Sequence, residues 1–309
     1  MQKWWVACRP FALPASTMSV IFGTAMAVTV GNARFNLPLF LASLFAMAVL
    51  HTGSNMLNDV FDYKKGIDRR VNPVSGAVVR GWITPRQALR AALLLLTAGT
   101  TVGLAIAFFV GLPVLLLGLL GVVVGVIYTW GPLPLKFNAL GDLAVFLNFG
   151  VLGSLGAWTV QTGTPALAPA LWAVPISLLV VAILHANNWR DIRSDRAAGI
   201  KTMAGVLGDN RSETYYNCML LLPFAIVLLL LVLSWADLLQ PRMPLTFLIT
   251  FGALFKALPL IKKGRNRETP RNPHDFVALD GDTARLNLLF GLLSTAALGL
   301  SAVLDLLTG

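Results

Sequence analysis

Nine stretches of this chain are each long and apolar enough to cross a bilayer, and no other feature constrains the fold as strongly. They fall at about 11–30, 37–57, 88–110, 112–130, 140–160, 166–187, 215–235, 244–261 and 286–304. A helix needs about 20 such residues to cross the hydrocarbon. Backbone N–H and C=O groups find no water there, so the stretches must pair their own backbone as helices. The expected fold is all-α: a polytopic membrane protein of nine transmembrane helices. Composition agrees, with 56% hydrophobic residues, 12% charged residues and a mean hydropathy of +0.74. So few charges could not cover the surface of a soluble protein of 309 residues. The first stretch is too long for a signal-peptide core and reads as a retained span.

Charge sets the expected orientation. With nine spans, the N-terminus and the even-numbered connections share one side. All but Arg34, Arg242 and Lys256 of the 24 basic residues fall there or at the adjoining helix ends. That bias predicts a cytoplasmic N-terminus in the plasma membrane. Nucleic acid is excluded as a partner, because no soluble basic domain carries the charge. Cys8 and Cys218 are far apart and supply neither a disulfide framework nor metal spacing.

Acids are scarce, and five of the 14 fall in two short segments. One contains Asn55, Asn58, Asp59, Asp62, Gly66 and Asp68; the other contains Asn188, Asp191, Asp195 and Gly199. Asn55, Asn58, Asp62 and Gly66 repeat the spacing of Asn188, Asp191, Asp195 and Gly199. Each segment closes an apolar span on the basic side. The match predicts two four-helix repeats, at about 1–138 and 139–262, plus one C-terminal helix at 286–304. Residues four apart share a helix face, so Asn58 points with Asp62 and Asp191 with Asp195. Two such faces offer only oxygen ligands, which suit Mg²⁺ held partly by substrate phosphates. Interleaved bases suit the phosphates. One such segment alone would read as a solvated helix end with ion pairs; two matched ones favour a metal–diphosphate site.

These segments resemble the aspartate-rich motifs of the UbiA family of intramembrane aromatic prenyltransferases. Arg9-Pro10 with Leu13-Pro14, and Tyr128-Thr129-Trp130-Gly131-Pro132 with Lys136 and Gly141-Asp142, resemble other family segments. Gly66 with Asp68, the run from Gly76 to Gly81, and Asn187-Asn188-Trp189-Arg190-Asp191 look like the subgroup that prenylates 1,4-dihydroxy-2-naphthoate. Gly199-Ile200-Lys201-Thr202 instead looks like relatives acting on hydroxybenzoate, which keeps that acceptor and homogentisate open.

The resemblance implies Mg²⁺-assisted transfer of a polyprenyl chain from its allylic diphosphate to the naphthoate. CO2 and diphosphate would be lost, and the product would serve menaquinone biosynthesis. It implies metal contacts and catalytic roles for Asn58, Asp62, Asp191 and Asp195, with Asp59 and Asp68 as further metal candidates. Lys201, Lys136 and Arg69 are candidates for the diphosphate, and Arg9, Tyr128 and Asn188 for substrate contacts. His51 and His185 read as helix-packing residues, with acceptor binding or proton acceptance as the alternative.

Two rivals were weighed. A secondary transporter would place its charges near the midplane, whereas these acids sit at helix ends. Asp280-Gly281-Asp282-Thr283-Ala284-Arg285 opens like a CDP-alcohol phosphotransferase signature, but Ser294, Leu298 and Ala302 break its remainder.

Overall fold

The N-terminal segment cannot run as one straight helix. Arg9 takes a left-handed backbone conformation, and Pro10 and Pro14 lack the N–H needed to continue a helix. In the structure, a computed structural model describing residues 2–64, 76–267, 276 and 278–308, a short helix Gln2–Cys8 therefore precedes the first span, Pro14–Thr29. Lys3–Ala12 and Pro14–Thr29 meet at 47°.

Eight further helices are long and apolar enough to cross a membrane. The second span is Leu37–Lys64, the third Pro85–Val110, the fourth Leu112–Thr129 and the fifth Gly141–Thr162. The sixth is Leu167–Arg190, the seventh Asp209–Trp235, the eighth Leu245–Arg265 and the ninth Leu279–Thr308. With the bent first pair counted once, the described residues make the nine spans expected of an all-α membrane fold. The second and ninth run past the apolar stretches, so their polar ends are helical too.

Local chemistry explains several boundaries. Thr84 caps the third span: its Oγ1 accepts from the Gln87 N–H at 3.2 Å, and the Gln87 side chain accepts from the Thr84 N–H at 2.9 Å. This reciprocal box satisfies two end donors. Thr84→Ala is expected to lower thermal stability in detergent by about 1 kcal/mol, read as a lower unfolding midpoint. The fifth span widens to a π-helix over Phe146–Leu152, which helical periodicity does not foretell.

The first, fifth, sixth and ninth spans pack together at the centre. Of the apolar window of the sixth span 67% is buried, against 11% for the fourth, which faces lipid. Lipid tails are as apolar as leucine, so burial alone does not hold such helices together; close packing of small residues does. Gly23 meets the Ser154 backbone, Gly153 meets Ser19, and Gly150 meets Ser177. A second, smaller core lies at the polar end of the second span, where Ala7, Met56 and Val60 pack on Ala77, Val78 and Ile83.

Candidate active site

The last turns of the second span carry the first acid segment, and its side chains divide between two faces. Asn58 Oδ1 accepts from Thr129 Oγ1, at the end of the fourth span, at 2.8 Å. Four residues on, both Asp62 carboxylate oxygens accept from Lys136 Nζ, at 2.8 and 2.6 Å. Asp59 points elsewhere, as a residue about 100° around the helix must. It is buried and takes the Arg9 guanidinium. Asp59, expected as a further metal contact, is thus occupied by Arg9, and Arg9 in turn is tied to a carboxylate of its own chain.

The second segment begins where the sixth span ends. Asp191 takes a conformation just outside the helical one and joins the span to a short helix, Ile192–Ala197. The Asp195 N–H still donates to the Asp191 carbonyl at 2.9 Å, so the four-residue relation survives the joint. Arg190 is the hub. It donates to both Asp191 oxygens at 3.2 and 2.9 Å, to Asp280 at 3.2 Å, and to the Asn187 side chain. Arg190 and Asp280 are both largely buried. Gly199 follows with φ 72°, a turn that a side chain would strain.

Two loops tie the segments together. Asn138 and Lys201 form an isolated parallel bridge, in which the Ala139 N–H donates to the Lys201 carbonyl at 2.6 Å and the Lys201 N–H to the Phe137 carbonyl at 3.3 Å. The next link is the Ile200 N–H donating to the Asp195 carbonyl at 2.9 Å. A continuous path therefore runs from Asp62 through Lys136 and this bridge to Asp195. Lys201 is exposed and pairs with Asn138, two residues after Lys136.

Beside this path lies a cavity of about 170 Å³. An engineered cavity of about 150 Å³ holds benzene, so this one has room for an aromatic ring. Its polar wall includes Arg9, His51, Asn58, Tyr128, Asn187 and Arg190, and its apolar wall includes Val124, Phe149, Val180 and Leu184. Asn148, from the π-helical turn, and Asp280 complete it. Such turns are frequent at functional sites.

Of the residues expected from sequence, the structure brings Asn58, Arg9 and Tyr128 to the cavity wall. Asp62 and Lys136 are joined to each other, and Asp191 to Arg190. Asn188 is half-buried and does not line the cavity, whereas its neighbour Asn187 does. Asp68 and Arg69 lie outside the described residues. Sequence reasoning missed Arg190, Asn187, Asn148 and Asp280 as a group. Arg190 lay inside a quoted motif, but nothing in the sequence pairs it with an acid 90 residues away.

Among the described residues, no three His, Cys, Asp or Glu side chains gather as a ready metal cage. The donor chemistry nevertheless fits Mg²⁺. That ion keeps to oxygen, dehydrates reluctantly, and is commonly held by one or two carboxylates together with substrate phosphates. Asp62 and Asp191, each now matched by one base, are donors of that kind.

The chain is similar along nearly its whole length to known proteins. It is 33% identical to "UbiA prenyltransferase domain-containing protein 1" of Xenopus tropicalis, over 93% of this chain and 79% of the relative. It is 30% identical to the 1,4-dihydroxy-2-naphthoate octaprenyltransferase of Bacillus subtilis (strain 168), over 96% of this chain and 92% of the relative. Its fold is similar to that of a UbiA homolog from Archaeoglobus fulgidus solved with GPP and Mg²⁺. That match has a TM-score of 0.62 at 18% identity and covers 95% and 99% of the two chains. A UbiA homolog from Aeropyrum pernix K1 gives a TM-score of 0.63 at 20% identity, covering 92% and 97%. The sequence profile of the UbiA prenyltransferase family matches residues 17–279, and the chain belongs to that family of membrane prenyltransferases.

Proposed function

We propose that this enzyme transfers a polyprenyl chain from an allylic polyprenyl diphosphate to 1,4-dihydroxy-2-naphthoate, with loss of CO2 and diphosphate, in menaquinone biosynthesis. The observation that carries the reading is the path from Asp62 through Lys136 and the Asn138–Lys201 bridge to Asp195, beside a cavity that holds Arg9. The Bacillus subtilis relative, named for that acceptor, supports the naphthoate over hydroxybenzoate and homogentisate.

Asn58, Asp62, Asp191 and Asp195 would hold Mg²⁺, which supplies Lewis-acid neutralisation of the departing diphosphate. The relatives solved with Mg²⁺ and prenyl diphosphates support that reading of the cofactor. Lys136 and Lys201, on paired backbone segments, present ammonium groups to the diphosphate oxygens, and Arg69 is a further candidate. Fixed positive charge favours the leaving group as the C–O bond breaks. Tyr128 lines the cavity, where an aromatic ring would stabilise the allylic cation. The apolar wall keeps water from that cation. Asp59 orients Arg9, whose guanidinium stands at the cavity wall as a candidate for the acceptor carboxylate. By its place in the sequence of the first segment Asp68 is a further candidate metal contact, and Asn188 a further candidate substrate contact.

The two-repeat reading is part of this proposal. It is supported by the second span packing on the third as the sixth packs on the seventh, with the first and fifth in contact. The basic bias supports a cytoplasmic site in the plasma membrane.

The test is product mass after incubating the protein in lipid with Mg²⁺, a C20 polyprenyl diphosphate and the naphthoate. The expected product is the decarboxylated prenyl naphthohydroquinone. Turnover of hydroxybenzoate or homogentisate alone would overturn the acceptor. Silence with all three, across several tail lengths, would overturn prenyl transfer to these acceptors.

A further inference from the structure

The geometry points to His51 as the group that takes the proton from the acceptor's ring hydroxyl, the one beside the carbon that is prenylated. This deepens the naphthoate reading and rests on it. Taken alone, the sequence makes His51 a packing residue; its hydrogen bonds assign it more.

His51 is buried on the second span, two turns before Asn58, and lines the cavity. Its Nδ1 lies 2.8 Å from Ser16 Oγ of the first span. Ser16 Oγ donates its single proton to the Leu13 carbonyl at 3.1 Å. The tautomer we propose is the one in which that hydroxyl accepts from His51 and Nδ1 carries the hydrogen. A neutral imidazole has one donor and one acceptor nitrogen, so Nε2 carries a lone pair. Nε2 has no hydrogen-bond partner, and it is not among the polar atoms sealed from the surface. It opens on the cavity. Phe149, on the fifth span, fixes the plane of the ring, with centroids 4.5 Å apart. The other charged and titratable groups facing this cavity are Arg9, Tyr128, Arg190 and Asp280. Arg9 and Arg190 are cations, and Asp280 is engaged by Arg190. His185 differs: it is fully buried, both of its ring nitrogens are sealed without a hydrogen-bond partner, Nδ1 lies 3.6 Å from Asp142, and it does not line the cavity.

The chemistry balances. The hydroxyl O–H breaks, its proton goes to His51 Nε2, and the electron pair moves through the ring to the adjacent carboxylate-bearing carbon. That carbon bonds to the allylic cation formed when the C–O bond to diphosphate breaks, and diphosphate leaves with the pair of the broken bond. Loss of CO2 then returns a pair to the ring and restores a phenolate-type oxygen, which takes the proton back from His51. The imidazole ends neutral, ready for another turnover.

His51→Asn tests this, because the Asn amide can still donate to Ser16 but puts nothing at the Nε2 position. The assay is steady-state turnover of the naphthoate between about pH 4 and 9, with Mg²⁺ and the C20 diphosphate. General-base catalysis of this kind contributes about 10²–10⁴-fold. The expected result is a loss of kcat in that range with KM for both substrates little changed. The acidic limb of the profile should vanish, the residual rate should climb with pH, and acceptor-independent diphosphate release should stay at the unaltered rate. Ser16→Ala, which keeps the imidazole but frees its tautomer, should lower kcat and retain the acidic limb. An unchanged pH profile in His51→Asn would overturn the proposal, as would equal losses of turnover and diphosphate release. No turnover of the naphthoate by the unaltered enzyme would overturn the acceptor reading and this proposal with it.

Discussion

Asp62→Asn is expected to lower prenyl transfer by about 10³-fold or more while the protein still folds and extracts as before. The exchange keeps the shape of the side chain and one oxygen, and removes the charge. Among the described residues Asp62 is ion-paired with Lys136, at 2.6 Å, and both side chains keep some exposure. Freed of its acid, Lys136 stays near solvent and costs the fold little. The loss falls on chemistry. A single preorganised electrostatic contact to developing charge is worth about 10²–10³-fold, and Asp62 is also proposed to hold the divalent cation. Asp59→Asn should behave otherwise, though it lies only three residues away. Its partner Arg9 would be left in a buried setting with no matching charge, which typically costs about 3–5 kcal/mol. Lower yield of folded protein is the expected sign. Full activity in Asp62→Asn would refute the assignment; equal folding losses in both variants would refute the division of roles.

Gly23→Ala is expected to be among the most damaging single-methyl changes in the membrane core, with Gly150→Ala, whose Cβ would lie 1.8 Å from Ser177 Oγ. A Cβ built on Gly23 would lie 2.2 Å from the Ser154 carbonyl oxygen and 2.9 Å from its carbonyl carbon. Both belong to the backbone of the fifth span, so no side chain can swing aside. The first and fifth spans would have to separate, and with them the floor under Ser16, His51 and Phe149. Overpacking of this kind costs about 1–3 kcal/mol, occasionally more. Thermal unfolding in detergent should show a lowered midpoint. Gly156→Ala, on the fifth span with open space where its Cβ would go, should be close to neutral. Equal midpoints for the two variants would contradict the packing account.

Much of this fold was legible because lipid allows so few solutions. Apolar runs of about 20 residues must be helices there. The four-residue spacing foretold that Asn58 and Asp62 would share a face. It also implied that Asp59 would not, a consequence that the motif resemblance obscured. The long-range pairs were illegible. Arg9 with Asp59, Lys136 with Asp62, and Arg190 with Asp280 join residues 50 to 90 positions apart. Which base meets which acid depends on how the helices pack. The π-turn at Phe146–Leu152 leaves no periodic trace, so Asn148 could not be placed on the cavity wall. Asp280 was hidden differently. Its segment read as a connection before the ninth span, whereas it forms that helix's first turn, where acids are favoured by the helix dipole.

The most direct test of the central claim is a structure of the protein in lipid with Mg²⁺ and a non-hydrolysable polyprenyl diphosphate analogue. The account predicts diphosphate density between the Asp62 and Asp191–Asp195 ends. Lys136 should be turned from Asp62 to the phosphate oxygens, and the first isoprene unit should lie in the cavity beside Tyr128 and His51. Diphosphate bound elsewhere, with the Asp62–Lys136 and Arg190–Asp191 pairs intact, would contradict it.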